Sequence, residues 1–217
     1  MDLTGSRFRI PKENYLRQPG SESCYQYLKD AYKRISADHG EYDAFITPVL
    51  QYESATSMTR LFNDIEKMAS FLDSKGIKKG DVVTVFLPSC GHAFIAFYAL
   101  SKLGVISNFI HPMTPPNQLL EIMAKTGSKG LFILDLFAMP FSPVISKYMT
   151  IVCSTSDFCD GIAYKYAKGN EMQNAPVPEN ENVIRYMDIM AMELPAVEDA
   201  PAPGKDDAIY LHGGGTT

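Results

Sequence analysis

The residues best suited to chemistry stand together at the carboxyl end of the sequence. They are Gly213, Gly214, Gly215, Thr216 and Thr217. Glycines allow positive φ and leave room for backbone N–H groups to converge on an anion. Threonine hydroxyls can donate hydrogen bonds to phosphate oxygens, and His212, just before the glycines, is a further possible donor. The pattern favours a phosphate-binding loop over a plain turn only with supporting context, since it lacks both the Walker GKS/T ending and GxGxxG spacing.

That context comes from the elements that would position the loop. Residues 208–211 form a short apolar run that predicts a strand leading directly into His212. Residues 82–87 are apolar at nearly every position, which indicates a strand covered on both faces. Further strands are predicted at 105–110, 130–135 and 150–154, each separated from the next by a helical pattern. Such alternation predicts an α/β fold with a parallel sheet flanked by helices and right-handed crossovers.

The helices are indicated by apolar spacing and by their end signals. The clearest amphipathic pattern covers residues 57–75, with Gly76 placed to end it in a left-handed conformation. Thr114 is predicted as the N-cap of a helix whose first residue is Pro115. Other helices are predicted at 22–38, 89–103, 143–148 and 182–192, and two short strands at 44–47 and 52–55 suggest a small hairpin.

Composition divides the chain into four parts. Residues 1–42 are an amino-terminal arm and helix, and residues 43–167 are the α/β subdomain. Residues 168–206 are rich in Pro, Glu, Asn and Asp and are interpreted as a solvated excursion with one short helix. Residues 207–217 form the strand and the start of the glycine loop.

Overall composition narrows the class of protein. The 217 residues are 46% hydrophobic and 21% charged, which is typical of a soluble globular protein. The net charge of −5 argues against electrostatic binding of nucleic acid. No apolar run reaches the roughly 18–20 residues of a transmembrane helix, and no secretory signal is visible. The four cysteines form no CxxC pair; Cys153 and Cys159 could approach each other, but free thiols in a cytoplasmic protein are expected.

The central part of the chain closely resembles the amino-terminal part of adenylate-forming enzymes, which include acyl-CoA synthetases, luciferases and peptide-synthetase adenylation domains. The resemblance runs from about residue 44 to 135 and again from 207 to 217. Residues 100–104 (LSKLG), followed by Pro112, are similar to the family's second core motif, and residues 209–217 resemble the start of its phosphate loop. The phrase SNFIHPMTPPNQL and the glycines before Thr216 are most similar to bacterial medium- or long-chain fatty acyl-CoA ligases.

The resemblance implies a ligase that joins a carboxylic acid, here a fatty acid, to coenzyme A at the expense of ATP. It implies ATP, Mg²⁺ and coenzyme A as cofactors. The phosphates would be held by backbone N–H groups of the three glycines and by the Thr216 and Thr217 hydroxyls, with His212 as a possible contributor. The loop's usual Gly-x-Pro-Lys-Gly continuation and the family's catalytic residues would follow Thr217. We therefore expect a loop that is only partly present, no catalytic or metal-ligating residue within the chain, and no turnover by these residues alone.

The sequence also departs from the family pattern. Gly213 stands where the family usually has Ser or Thr, and His212 stands where an aromatic such as Tyr is common. A structural role is favoured for His212 over phosphate binding, and a capping or packing role is favoured for His111 over catalysis. Two alternatives remain open: a non-catalytic binding or scaffold relative with the same fold, and an unrelated flavodoxin-like nucleotide binder.

Overall fold

The structure is a computed structural model, and it describes residues 22–49, 51–164, 175–201 and 206–212. Within these ranges, none of the helices is long and apolar enough to cross a bilayer. The strands are β1 (Asp43–Val49), β2 (Tyr52–Ser57), β3 (Val82–Phe86), β4 (Ile106–Phe109), β5 (Ser128–Leu134), β6 (Met149–Cys153), β7 (Val183–Arg185) and β8 (Ile209–Leu211). The helices are α1 (Cys24–His39), α2 (Met58–Ser74), α3 (Gly91–Lys102), α4 (Pro116–Thr126), α5 (Asp135–Ala138), α6 (Ser142–Ile145) and α7 (Tyr186–Met190).

A six-stranded parallel sheet forms the centre of the fold. Its strand order is β7-β6-β5-β3-β4-β8, and every neighbouring pair is parallel. The separate β1–β2 hairpin is antiparallel. All five residues of β3 are buried, as expected for a strand in the middle of a sheet with helices on both faces. The predicted α/β class and parallel sheet are therefore confirmed.

Helices cover the two faces of the sheet with two separate apolar cores. One core joins α1, α2, α3 and α7 to one face of β3, with Val83 and Val85 at its centre. The other joins α4, α5 and α6 to the opposite face, where Phe86 and Leu131 are buried. The chain thus alternates between faces as it builds the sheet, and this arrangement creates a switch point at the carboxyl edge.

The switch point lies between β3 and β5. Strands β4-β3-β5-β6-β7 have the order 2-1-3-4-5 when they are numbered along the chain. The chain leaves β3 toward α3 on one face and leaves β5 toward α5 on the other. In doubly wound sheets, the crevice that opens between two such strands is the usual place for a ligand.

Local signals explain the best predicted helix. The Ser57 hydroxyl accepts the N–H of Arg60 and caps the start of α2, and Gly76 follows its end with a φ of 81°. The apolar stripe of α2 is buried against α3, with Ile65 and Met68 fully inaccessible. The helix therefore has the predicted span, moved inward by one residue at each end.

Two predicted elements were wrong in detail. Residues 182–192 are not one helix, because residues 183–185 pair with β6 as the edge strand β7 before α7 begins. Sheet pairing thus overrides the helical spacing of the apolar residues. Helix α4 begins at Pro116, and its N-cap is Pro115 rather than Thr114. With two consecutive prolines, the extended conformation that precedes a proline shifts the helix start by one residue.

Candidate functional site

Strand β8 brings the chain to the carboxyl edge of the sheet. It lies parallel to β4, with Asn108 opposite Tyr210 and Phe109 opposite Leu211. The next residue is His212, the last described position before the predicted phosphate loop. Because parallel strands all end at one edge, His212 lies at the same edge as the ends of β3 and β5.

A buried amide holds His212 in place. The His212 ring nitrogen Nε2 lies 2.7 Å from Oδ1 of Asn108, which is fully buried in β4. Asn108 Nδ2 donates to Thr84 Oγ1 at 3.0 Å and approaches Thr126 Oγ1 at 3.4 Å. The amide nitrogen of Asn108 thus donates toward the two threonines. The amide oxygen, Oδ1, is left to accept the Nε2–H of His212.

The polar side chains continue from Asn108 across the interior of the sheet. Thr84 Oγ1 lies 2.6 Å from Ser128 Oγ, which in turn lies 3.2 Å from Thr126 Oγ1. A buried polar group is costly unless it has partners, so these contacts fix the mutual register of β8, β4, β3 and β5. The same contacts occupy His212 Nε2, whereas Nδ1 has no hydrogen bond to the residues that the structure describes.

The other predicted loop residues, Gly213, Gly214, Gly215, Thr216 and Thr217, lie outside the described residues. The structure therefore places the start of the loop through His212 and β8 alone. His111 was predicted to cap or pack, and its Nδ1 accepts the Met113 N–H at 3.2 Å in the turn after β4.

A buried lysine ties the segment before β8 to the rest of the fold. The Lys102 side chain, at the end of α3, is 3% exposed and makes an ion pair with Asp199 and another with Glu66 at 3.4 Å. Its Nζ also lies 5.0 Å from the centre of the Tyr25 ring. The Lys102 carbonyl accepts the Ala200 N–H at 2.7 Å. These contacts attach residues 199–200 to α1, α2 and α3 a short distance before β8.

A second polar cluster was missed by the sequence analysis. His92 is 2% exposed, and its Nε2 lies 2.9 Å from Asp157 Oδ2 while its Nδ1 lies 3.9 Å from Cys90 Sγ. Cys90 immediately precedes α3, and Asp157 lies in a 3₁₀ turn after β6. The two residues are far apart in the sequence, and a lone cysteine two positions before a histidine gives no recognisable motif. Only the fold brings the three groups together.

The pKa values of Cys90 and His92 are both shifted by their surroundings in this cluster. Burial alone would raise the pKa of the Cys90 thiol, but the His92 side chain and the N–H groups of Ala93 and His92 bring it below its usual value. Burial also acts to lower the pKa of His92, and the Asp157 carboxylate and Cys90 outweigh that effect and raise it. The lowered pKa of Cys90 and the raised pKa of His92 both favour a Cys90 thiolate beside a His92 imidazolium.

Among residues 22–49, 51–164, 175–201 and 206–212, no group of three His, Cys, Asp or Glu side chains is arranged to hold a metal ion. All four cysteines are free thiols, so Cys153 and Cys159 do not pair.

Comparison with known proteins identifies the family to which the sequence belongs and the enzymes that share its fold. Residues 33–217 match the family model described as AMP-binding enzyme. The chain is similar to an acetyl-coenzyme A synthetase of Xanthobacter autotrophicus, with 33% identity over 75 residues that cover 35% of this chain and 12% of the relative. It is also similar to a long-chain-fatty-acid–CoA ligase of Escherichia coli, with 25% identity over 126 residues, 57% of this chain and 21% of that protein.

The fold is shared with solved ligases. An anthranilate CoA ligase in complex with anthranoyl-AMP superposes with a TM-score of 0.68 at 15% identity, covering 91% of this chain and 33% of that one. The chain thus spans about a third of the solved enzyme and a smaller share of the aligned relatives. The architecture is that of the amino-terminal part of such enzymes, as the sequence predicted.

Proposed function

The chain belongs to the family of AMP-binding enzymes, and from that premise we propose that the complete protein is an AMP-forming acyl-CoA ligase. The carboxylate of the substrate attacks the α-phosphorus of ATP, and pyrophosphate leaves. The coenzyme A thiol then attacks the carbonyl carbon of the acyl-adenylate, and AMP leaves. An oxygen–phosphorus bond and then a sulfur–carbon bond form at the substrate's carboxyl group.

One structural observation carries this proposal. Strand β8 is held parallel to β4 at the carboxyl edge of the sheet, and the His212–Asn108 hydrogen bond fixes the residue from which Gly213 follows. We assign phosphate binding to the backbone N–H groups of Gly213, Gly214 and Gly215 and to the hydroxyls of Thr216 and Thr217. Preorganised donors of this kind stabilise the charge that develops on a departing pyrophosphate.

His212 has a positioning role in this proposal. Its Nε2 is used by Asn108, which supports the structural role that the sequence favoured. We assign any phosphate contact of His212 to its other ring nitrogen, Nδ1. Mg²⁺ would supply charge neutralisation at the phosphates.

The acyl substrate we propose is a fatty acid. The similarity to the Escherichia coli long-chain ligase and the phrase SNFIHPMTPPNQL support this choice, while the similarity to acetyl-coenzyme A synthetase supports a shorter acid. The free thiols of all four cysteines support a reducing compartment, and we propose the cytoplasm. These 217 residues alone are proposed to lack turnover, because they span about a third of a solved ligase.

A panel of saturated acids from acetate to palmitate tests the substrate. The complete protein is incubated with ATP, Mg²⁺, coenzyme A and each acid, and acyl-CoA is measured by mass spectrometry. The proposal predicts acyl-CoA formation with a maximum among medium or long chains. A maximum at acetate would reject the fatty acid, and no product with any carboxylic acid would reject the ligase.

A further inference from the structure

A cavity opens at the switch point between β3 and β5. Its volume is about 320 Å³, at the lower end of the range for ligand pockets. The residues around it come from the β1 strand, the turn after β3, the start of α3, the end of β5 and the 3₁₀ turn after β6. The apolar part of the lining comprises Phe45, Ile46, Pro48, Phe94, Leu134 and Phe158.

Cys90 and His92 line the same cavity. Cys90 is half-buried, whereas the His92 side chain is buried, so Cys90 is the more accessible of the two lining residues. The cavity therefore places an apolar pocket next to a sulfur atom that has a base 3.9 Å away. A pocket of this composition suits a small apolar group attached to an electrophilic carbon.

The ring of His92 is held in one orientation. Its Nε2–H donates to Asp157 Oδ2, so in the neutral ring Nδ1 is the basic nitrogen that faces Cys90 Sγ. The ring also packs against Phe158 at 4.4 Å and perpendicular to Tyr186 at 4.7 Å between ring centres. Asp157 is itself fixed, because its Oδ2 accepts the Ser154 N–H at 2.8 Å. A nucleophile, a base and a group that orients the base are the parts of an activated thiol site.

Gly91 allows the cavity walls to approach the thiol. A methyl group at this position would lie 2.8 Å from a Phe158 ring carbon and closer still to Phe45. The two aromatic rings thus pack directly on the start of α3 beside Cys90, and they meet each other edge to face at 5.1 Å. The pocket is consequently built from rigid aromatic walls.

We propose that Cys90 is a nucleophilic thiol that accepts an acyl group from an acyl thioester, with His92 as its base and Asp157 as the group that orients His92. The Cys90 proton moves to His92 Nδ1, and the sulfur attacks the thioester carbonyl carbon. A new sulfur–carbon bond forms, the original one breaks, and the departing thiolate takes the proton from the imidazolium. The choice of a thioester rests on the proposed ligase function, whereas the activated thiol does not.

The chain supplies its own reference thiol for the test. Cys24 is exposed at the first residue of α1 and has no histidine hydrogen bond among the described contacts. The complete protein is incubated with S-butyryl-N-acetylcysteamine, and the butyryl content of each cysteine peptide is followed by mass spectrometry. Because the thioester is supplied ready made, the outcome is independent of ATP-dependent ligation.

General-base assistance predicts that Cys90 is acylated on the order of 10²-fold faster than Cys24 near pH 7. His92→Gln should reduce the Cys90 rate to that of Cys24, and Cys90→Ser should remove the modification. His111→Gln is the matched control, because His111 is exposed and its Nδ1 accepts the Met113 N–H rather than facing a thiol. Equal rates at Cys90 and Cys24, or an unchanged Cys90 rate in His92→Gln, would overturn the proposal.

A second measurement needs only the unmodified protein, in case His92→Gln does not fold. The ratio of the Cys90 rate to the Cys24 rate should rise as the pH falls from 8.5 to 6.5, because a thiolate beside an imidazolium survives at lower pH. A ratio that stays constant over this range would overturn the proposal. The ionisable and charged groups around the Cys90–His92–Asp157 cluster are Arg60, Asp135, Cys153 and Tyr186, and Asp64 lies behind Tyr186 and Arg60.

Discussion

His212 Nε2 lies 2.7 Å from Asn108 Oδ1, so the residue that precedes the predicted phosphate loop is held by an amide buried inside the sheet. The same amide donates to Thr84 in the central strand. The position of His212 is thus coupled to the register of three parallel strands. Removal of the Asn108 amide should therefore lower the stability of the sheet and weaken the binding of phosphate.

Asn108→Ala tests that coupling. It leaves Thr84, Thr126 and His212 without their shared partner, and we expect a loss of about 1–3 kcal/mol in the free energy of unfolding. The KM for ATP should rise more than the KM for the carboxylic acid. Urea unfolding and initial-rate kinetics on the complete protein measure the two effects. Asn117→Ala, at an exposed position of α4, is the control and should change neither; equal losses in both variants would contradict the coupling.

Lys102→Ala tests the attachment of the segment before β8. The change removes the cation shared by Asp199 and Glu66, and breaking a buried ion pair costs about 3 kcal/mol at the low end of its range. The Lys129–Asp81 pair is a matched surface control, since the Lys129 side chain is 52% exposed and Lys129→Ala should cost less than about 1 kcal/mol. Comparable urea midpoints for the two variants would show that the Lys102 cluster does not hold this segment.

The sequence allowed much of the fold to be predicted, because the apolar runs at β3, β5 and β6 and the stripe of α2 are local signals. It did not identify β7, since three residues at a sheet edge show no period of their own. The Cys90–His92–Asp157 cluster was equally hidden, because Asp157 is brought to His92 by the crossover from β5 to β6. Of the predicted phosphate-site residues, the structure places His212, and the roles of Gly213, Gly214, Gly215, Thr216 and Thr217 and the four-part division of the chain stay predictions.

Asp64 should make stability depend on pH. Burial raises the pKa of its carboxyl, against the lowering effects of the Tyr186 hydroxyl, which lies 2.9 Å away, and of the Arg60 guanidinium. The folded state then binds the Asp64 proton more tightly than the unfolded state does. The contribution of Asp64 to the free energy of unfolding is fully present below about pH 3.9, the ordinary pKa of Asp in an unfolded chain. That contribution is lost as the pH rises through the raised pKa of Asp64 in the folded protein.

Asp64→Asn should therefore gain stability relative to the unmodified protein as the pH rises from 4.5 to 7. The asparagine cannot ionise, and its oxygen can still accept the Tyr186 hydroxyl. Urea midpoints at several pH values give the difference directly. A difference between Asp64→Asn and the unmodified protein that does not change with pH would refute a raised carboxyl pKa.

The predicted phosphate loop is tested by its hydroxyls. Thr216→Ala should lower pyrophosphate exchange on the order of 10²-fold, since one donor to developing charge is lost, while Thr216→Ser should keep most of the rate. The family usually has Ser or Thr at the position of Gly213, so Gly213→Ser restores a hydroxyl there. We expect little change in the rate of pyrophosphate exchange if the loop works as it stands. A large gain from Gly213→Ser would instead favour a relative that has lost its activity.

The most direct test of the central claim is carboxylate-dependent exchange of labelled pyrophosphate into ATP by the complete protein, since this step reports acyl-adenylate formation alone. The account predicts exchange that requires a carboxylic acid, is strongest with medium- or long-chain fatty acids, and does not require coenzyme A. An absence of exchange across a broad panel of carboxylic acids, with the protein shown to be folded, would contradict it.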